Sequence, residues 1–186
     1  MSNIADDLTT ALSSIVAGVG DVFATTRDVT KENVVKTLRA GGQITETSVD
    51  TVSGVVTDGV KAIAKTGASI EKGATGLVSG AIEGVKEVGG DVGTAAVAAA
   101  SGTIKGVAEV GGDVEKAAVS VVEGAIKGAG AIGADTGEVA KDAVMGTLKA
   151  ADQIGSEAGG LVRKALLNAA ALPHDIIDAL LTGKTE

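Results

Sequence analysis

The sequence predicts an all-α fold of tandem 22-residue amphipathic repeats, stacked as antiparallel helices with Gly-Gly-Asp turns. The segment GVKEVGGDVGTAA begins at Gly84, and nearly the same 13 residues, GVAEVGGDVEKAA, begin again at Gly106, 22 positions later. Apolar residues return at spacings of three and four, which indicates one face of an α-helix and not a strand. The GGD triplet is typical of a helix end followed by an N-cap.

Helix-capping residue types extend the repeat over nearly the whole chain. Asn, Asp, Ser and Thr cap helix N-termini, and steps of 22 from Asp113 meet such a residue at seven of eight positions. The eight positions are Asn3, Thr25, Thr47, Ser69, Asp91, Asp113, Asp135 and Glu157. Acids three positions further on suit the positive end of a helix; they are Asp6, Asp28, Asp50 and Glu138.

A stripe of apolar residues marks the face of each predicted helix that is to be buried or to bind a surface. Its spacings in the fifth and sixth repeats are 4, 4, 4, 3 and 3, which keeps its members on one side of a helix. The stripe residues are Val85, Val88, Val92, Ile104, Val107, Val110, Val114, Val122, Ile126, Ile132, Leu148 and Ile154. Because no single repeat can cover its own stripe, the repeats are expected to stack.

Glycine pairs four residues apart predict close contacts between helices. Each pair lies on one helix face, where the missing side chains let two backbones approach. The pairs are Gly80 with Gly84, Gly102 with Gly106 and Gly124 with Gly128. Their common register favours this interpretation over poor helix formation.

A break in each repeat distinguishes many short helices from a few long ones. A straight helix with this repeat would lose its stripe by about 40° per unit, so we predict helices of about 17–19 residues. The predicted turn residues are Gly89, Gly90, Asp91, Gly111, Gly112 and Asp113. A few long helices with 11-residue periodicity stay the alternative, and the glycine-free junctions FAT and ITET allow units one to three to form one longer helix.

The end of the chain differs from the repeats. We predict a repeat array over residues 1–160 and a leucine-rich helical cap over residues 161–186, in which Pro173 opens a last short helix. An atypical terminal unit is expected where an array of repeats meets solvent.

The composition excludes several classes of chemistry. The formal net charge of −8 disfavours nucleic-acid binding, and the absence of cysteine excludes thiolate catalysis and cysteine-ligated metals. The segment GAGAIG fits a dinucleotide-binding motif but follows helical repeat and not a strand. His174 is the only histidine and follows proline, as a helix-start residue would. We expect no enzyme activity, no cofactor and no metal site.

The segments GAIKGAG, EGVKEVGG and VTKENVV, with the period of 22, resemble the amphipathic-repeat lipid-surface proteins. Synucleins, perilipins and exchangeable apolipoproteins are the comparison. The resemblance implies reversible adsorption to lipid or another apolar surface and a coat or remodelling role.

Two functions are therefore expected from the sequence. The first is a structural protein whose copies join through small-residue helix faces into a coat, sheet, tube or filament, with the protein itself as partner. The second is a peripheral protein that adsorbs to a lipid or membrane surface through its amphipathic helices. Either would act in the cytoplasm, at a membrane or inclusion surface.

Overall fold

The computed structural model describes residues 4–16, 21–41, 47–169 and 172–173. These residues form eight α-helices and no strand, which confirms the all-α prediction. The helices are α1 (Ile4–Val16), α2 (Val22–Ala40), α3 (Thr47–Thr66), α4 (Ile70–Glu87), α5 (Val92–Glu109), α6 (Val114–Ala131), α7 (Thr136–Ile154) and α8 (Ser156–Asn168).

The helices form two layers, with odd-numbered helices in one and even-numbered helices in the other. The most extensive contacts join helices two apart in the chain, such as α2 with α4, α5 with α7, α4 with α6 and α3 with α5. Consecutive helices also contact each other, and they do so between the layers. The structural unit is therefore a pair of helices, one from each layer.

Close contacts at glycines fix the directions of the helices. Gly59 of α3 lies against Leu77 of α4, and Gly73 of α4 lies against Ile63 of α3, so consecutive helices run antiparallel. Helices of the same layer are therefore parallel, because the chain reverses its direction twice between one helix of a layer and the next.

The core lies between the two layers and consists of aliphatic side chains. Its largest fully buried residues are Leu8, Leu12, Ile63, Leu77, Ile82, Ile104, Leu166, Val34, Val52, Val56 and Val60. Alanines of α5 to α7 complete it, because their small side chains fill space where helices approach closely. The apolar interior is thus supplied by the repeat itself.

The alternative of a few long helices is wrong for the described residues. Their helices have 13 to 20 residues, and α1, α2 and α3 are separate. Asp21 shows why the second unit begins anew, since its Oδ1 accepts a hydrogen bond of 2.8 Å from the backbone N–H of Phe23. α2 therefore begins before FAT, and the prediction of a junction at FAT is wrong because that segment lies inside α2.

The predicted caps are correct in the regular part of the array and wrong at its ends. Ser69, Asp91, Asp113 and Asp135 each cap a helix. Thr25 instead lies within α2, Thr47 is the first residue of α3, and Glu157 follows the first residue of α8. Asn3 lies outside the described residues.

Irregular spacing of the helix starts explains these errors. From α2 to α3 the start advances by 47 − 22 = 25 residues, from α3 to α4 by 70 − 47 = 23, and from α4 to α5 by 92 − 70 = 22. From α7 to α8 it advances by only 156 − 136 = 20. A fixed step of 22 therefore loses register in both terminal regions.

Helix α8, the last one that the structure describes, belongs to the same core as the others. The division after residue 160 falls inside α8, whose Val162 and Leu166 are fully buried. Leu172 is also buried, whereas His174 and the predicted last helix lie outside the described residues. None of the described helices combines the length and hydropathy that a membrane span requires.

Candidate interaction surface

The glycine pairs lie at contacts between helices of the same layer. A Cβ at Gly102 would overlap the backbone oxygen of Ser53 in α3, and a Cβ at Gly124 would lie 2.5 Å from that of Thr75 in α4. All six glycines named from the sequence are buried and meet backbone or Cβ atoms of a neighbouring helix; they are Gly80, Gly84, Gly102, Gly106, Gly124 and Gly128. The small-residue faces are thus occupied inside the chain.

Hydroxyl groups reinforce these contacts. Thr57 Oγ1 donates to the backbone oxygen of Gly102 at 3.0 Å, which joins α3 to α5. Thr75 Oγ1 lies 3.3 Å from the backbone oxygen of Ser120, which joins α4 to α6. Both bonds link neighbouring helices within a layer. Because the glycines there have no side chains, the helices lie close enough for a threonine hydroxyl to contact a carbonyl group of its neighbour.

Most of the apolar stripe lies in the core between the layers or packs against it. Four members are buried, namely Val85, Ile104, Val107 and Val122. Seven are partly buried against the core, namely Val88, Val92, Val110, Val114, Ile126, Ile132 and Leu148. Ile154 differs, because 43% of it is exposed. The stripe is therefore largely covered by the chain itself.

The Gly-Gly-Asp segments are turns between helices. Gly89 and Gly111 have φ values of 77° and 69°, in the left-handed region that favours glycine. The following glycine, at 90 or 112, donates its N–H to a carbonyl of the preceding helix, at 2.9 and 2.8 Å. Asp91 and Asp113 then accept backbone hydrogen bonds from the next helix. Hydrogen bonds from the side chain and the backbone of Thr94 lower the pKa of Asp91, and the backbone hydrogen bond from Lys116 is the main cause that lowers the pKa of Asp113.

Two further turn glycines follow the same 22-residue step. Gly67 and Gly133 have φ values of 73° and 69°. Gly67 was missed in the sequence, where alanine follows it and the cap of the next helix is Ser69 and not Asp. Gly133 belongs to the segment GAGAIG, which forms the end of α6 and the turn after it, so that motif lies in helical repeat as expected.

An acidic cavity of about 540 Å³ lies between the N-terminal ends of α5 and α7. Its wall includes the carboxyl groups of Asp91, Asp135, Glu138 and Asp142, together with Lys86. Asp91 and Asp135 serve as helix caps, and the described residues offer no cluster suited to a metal ion. Burial raises the pKa of Asp142, and the charges of Glu138 and Asp91 raise it further.

Replacing Asp142 with asparagine is expected to raise the melting temperature at pH 7. Because the pKa of Asp142 is higher in the folded state, this group costs stability as the pH rises through the range between its ordinary and its folded pKa. Below that range the carboxyl is protonated in both states, so wild type and variant should melt together at acidic pH. Calorimetry across this range tests the assignment, and a variant less stable at pH 7 would contradict it.

The exposed large apolar side chains of the described residues all lie in the last helix pair. Met145 is 52% exposed, Ile154 43%, Leu161 42% and Leu167 43%. In the repeat, Met145 takes the position of Thr57, since 57 + 4 × 22 = 145. Thr57 packs against α5, whereas no described helix follows α7 in its layer. The sequence signal for this surface was the high leucine content near the end of the chain.

A groove of about 470 Å³ lies where the turn between α7 and α8 meets the start of α6. Its apolar wall contains Val114, Ile154, Ala158 and Leu161. Acidic residues complete its lining, namely Asp113, Glu115 and Glu157. The groove is therefore apolar inside and negatively charged at its edge.

Comparison with protein-family models and with curated proteins gives no match to this chain.

Proposed function

We propose that this chain is a non-enzymatic structural protein whose copies assemble through the C-terminal end of the helical array. The observation that carries the proposal is that, among the residues the structure describes, the exposed large apolar side chains are confined to α7 and α8. A cluster of such residues on an otherwise polar surface is typical of an interface. A coat, sheet, tube or filament in the cytoplasm, with the protein itself as partner, is the function proposed.

The contacts inside the chain determine which surface we assign to assembly. The six glycines and most of the stripe are covered by neighbouring helices and are not free to join copies. Within residues 4–16, 21–41, 47–169 and 172–173, the large apolar side chains exposed to a second copy are Met145, Ile154, Leu161 and Leu167. We therefore move the proposed contact between copies from the small-residue faces to the last helix pair.

Charged residues at this surface are expected to abolish assembly. The variant carries Met145→Glu and Leu161→Glu, because a carboxylate desolvated at an apolar contact is strongly unfavourable. The control carries Thr37→Glu and Thr136→Glu, which add the same charge at exposed polar positions. Size exclusion with light scattering, and electron microscopy, measure the assembly state. The wild type and the control should be assembled, and the variant should be monomeric. A monomeric wild type at all concentrations would refute the proposal.

Adsorption to lipid or another apolar surface is the second candidate. It is favoured by Lys164, which lies between Leu161 and Leu167 on the exposed side of α8, since interfacial helices combine apolar and basic residues. Co-sedimentation with phosphatidylglycerol vesicles tests it. This candidate would be favoured if wild type and control sediment with the vesicles and the variant with Met145→Glu and Leu161→Glu does not.

A further inference from the structure

The outer face of α8 carries a charged and apolar pattern that is complementary to itself. The face comprises five exposed residues, namely Glu157, Gly160, Leu161, Lys164 and Leu167. Their spacings of three and four keep them on one side of the helix, opposite the buried Val162 and Leu166. An acid stands at the start of this α8 face, glycine and leucine at its centre, and a base followed by leucine at its end.

We propose that two copies pair through the α8 face, antiparallel and about a two-fold axis. This inference deepens the proposed function and rests on it, since it names the first contact between copies. In an antiparallel pair of identical helices, the numbers of any two facing residues add up to the same value. A value of 321 brings opposite charges together, because Glu157 of each copy then faces Lys164 of the other. A two-fold contact repeats every favourable pair.

The centre of this arrangement allows the helices to approach. Gly160 faces Leu161 of the second copy when the sum is 321. A Cβ at Gly160 would meet no atom within 4 Å, so the surface there is open to an entering side chain. Leu161 is 42% exposed and can fill that space, which buries two leucines at the axis. A small residue at a helix crossing matches the packing used throughout the interior.

The groove beside α8 accommodates the end of the opposite helix. In this register Leu167 of the second copy lies beyond the start of α8, next to the groove that Ile154 at the end of α7 lines with Val114 and Leu161. Lys164 of the second copy would come near the acidic edge formed by Asp113, Glu115 and Glu157. In the described part of the chain Glu157 and Lys164 form no ion pair, so both charges are available to a second copy.

Charge reversal distinguishes this contact from a general apolar association. Glu157→Lys and Lys164→Glu each place like charges opposite one another twice in the dimer. Each single variant is expected to raise the dimer dissociation constant at least about tenfold, and the double variant should restore it, because the pairs are re-formed with reversed sign. Sedimentation velocity over a concentration series gives the constants, and circular dichroism verifies folding of each variant.

A single cysteine reports the two-fold axis directly. The chain contains no cysteine, so Leu161→Cys introduces one thiol that lies next to its own counterpart in the dimer. Mild oxidation of the full chain is expected to yield a disulfide-linked dimer, since facing backbones of packed helices come within disulfide range. Gly54→Cys on the exposed side of α3 is the control and should stay uncross-linked.

The outcomes separate this inference from the proposed function. If the wild type assembles, both charge-reversal variants assemble equally well, and Leu161→Cys does not cross-link, the α8 pairing is wrong. The proposed self-assembly would then still hold. A wild type that is monomeric throughout overturns both. A thiol at position 161 that is shielded from maleimide in the monomer means that residues 174–186 of the same chain cover the face, and overturns the pairing. Restoration by the double variant, with cross-linking at 161, supports it.

Discussion

Replacing the four turn glycines with alanine is expected to remove a large part of the stability of the fold. Gly67, Gly89, Gly111 and Gly133 all have φ between 69° and 77°. A residue with a Cβ pays about 1–2 kcal/mol in this region, so four sites cost about 4–8 kcal/mol. A domain has about 5–15 kcal/mol in total. The sites lie in separate turns, so the individual costs should add.

The surroundings of these four glycines make the experiment clean. A Cβ at any of them would meet no atom within 4 Å, so the loss comes from backbone conformation and not from crowding. Asparagine tolerates left-handed geometry better than other residues with a side chain. The four Gly→Asn substitutions are therefore the control and should retain more stability than the alanine variant. Urea unfolding followed by circular dichroism compares the two, and an alanine variant as stable as wild type would contradict left-handed turns.

The sequence predicted the turns because their signal is local. Glycine followed by glycine and Asp specifies a helix end and a cap within a few residues, and Asp91 and Asp113 act as caps. Gly67 carries the same geometry without the second glycine, and Ser69 caps the next helix in place of Asp. The required element is the single left-handed glycine, and at Gly67 it stands without the Asp cap that marks the predicted turns.

The partners of the glycine faces could not be predicted from the sequence. The spacing of Gly102 and Gly106 indicated that the backbone of another helix packs closely against α5. It did not indicate that α3 is that helix. Short turns suggested contacts between consecutive, antiparallel helices. The closest contacts instead join parallel helices two apart, because each layer stacks its own members side by side. That choice depends on how two layers share one core.

The exposed end of the array is also a property of the tertiary structure. Leu161 and Leu166 lie five residues apart in one leucine-rich helix, yet Leu166 is fully buried and Leu161 is 42% exposed. Composition marked the region, but only the position of α8 against α6 and α7 separates the two sides of the helix. Ile154 shows the same limit, since the stripe pattern placed it with buried residues.

Alanine at three packing glycines is expected to destabilise the protein, although alanine favours helices. The variant carries Gly102→Ala, Gly124→Ala and Gly146→Ala, one in each of α5, α6 and α7. A Cβ would overlap the backbone oxygen of Ser53 in the first case and lie 2.5 and 2.6 Å from the backbone oxygens of Thr75 and Val97 in the others. Since these are backbone atoms, relief requires that whole helices separate.

The expected size of the effect follows from two opposing contributions. Overpacking costs about 1–3 kcal/mol per site, and the better helix propensity of alanine returns about 0.5–1 kcal/mol. Because the obstructing atoms are backbone, the cost lies toward the upper end of its range, and the net loss is about 1–2 kcal/mol per site. Each kcal/mol lowers the melting temperature of a chain of this length by about 2–4 °C. The triple variant should therefore melt roughly 6–24 °C below wild type.

Gly54→Ala is the matched control, because the change is chemically identical but the site is open. Gly54 lies in the middle of α3, is exposed, and a Cβ there would meet no atom within 4 Å. Only the propensity contribution applies, so this variant should be more stable than wild type by about 0.5–1 kcal/mol. The same substitution is thus expected to act with opposite sign at the two kinds of site. If the triple variant were also stabilised, the helices of each layer would not be in backbone contact, and the parallel packing of α3 with α5 and α4 with α6 would be wrong.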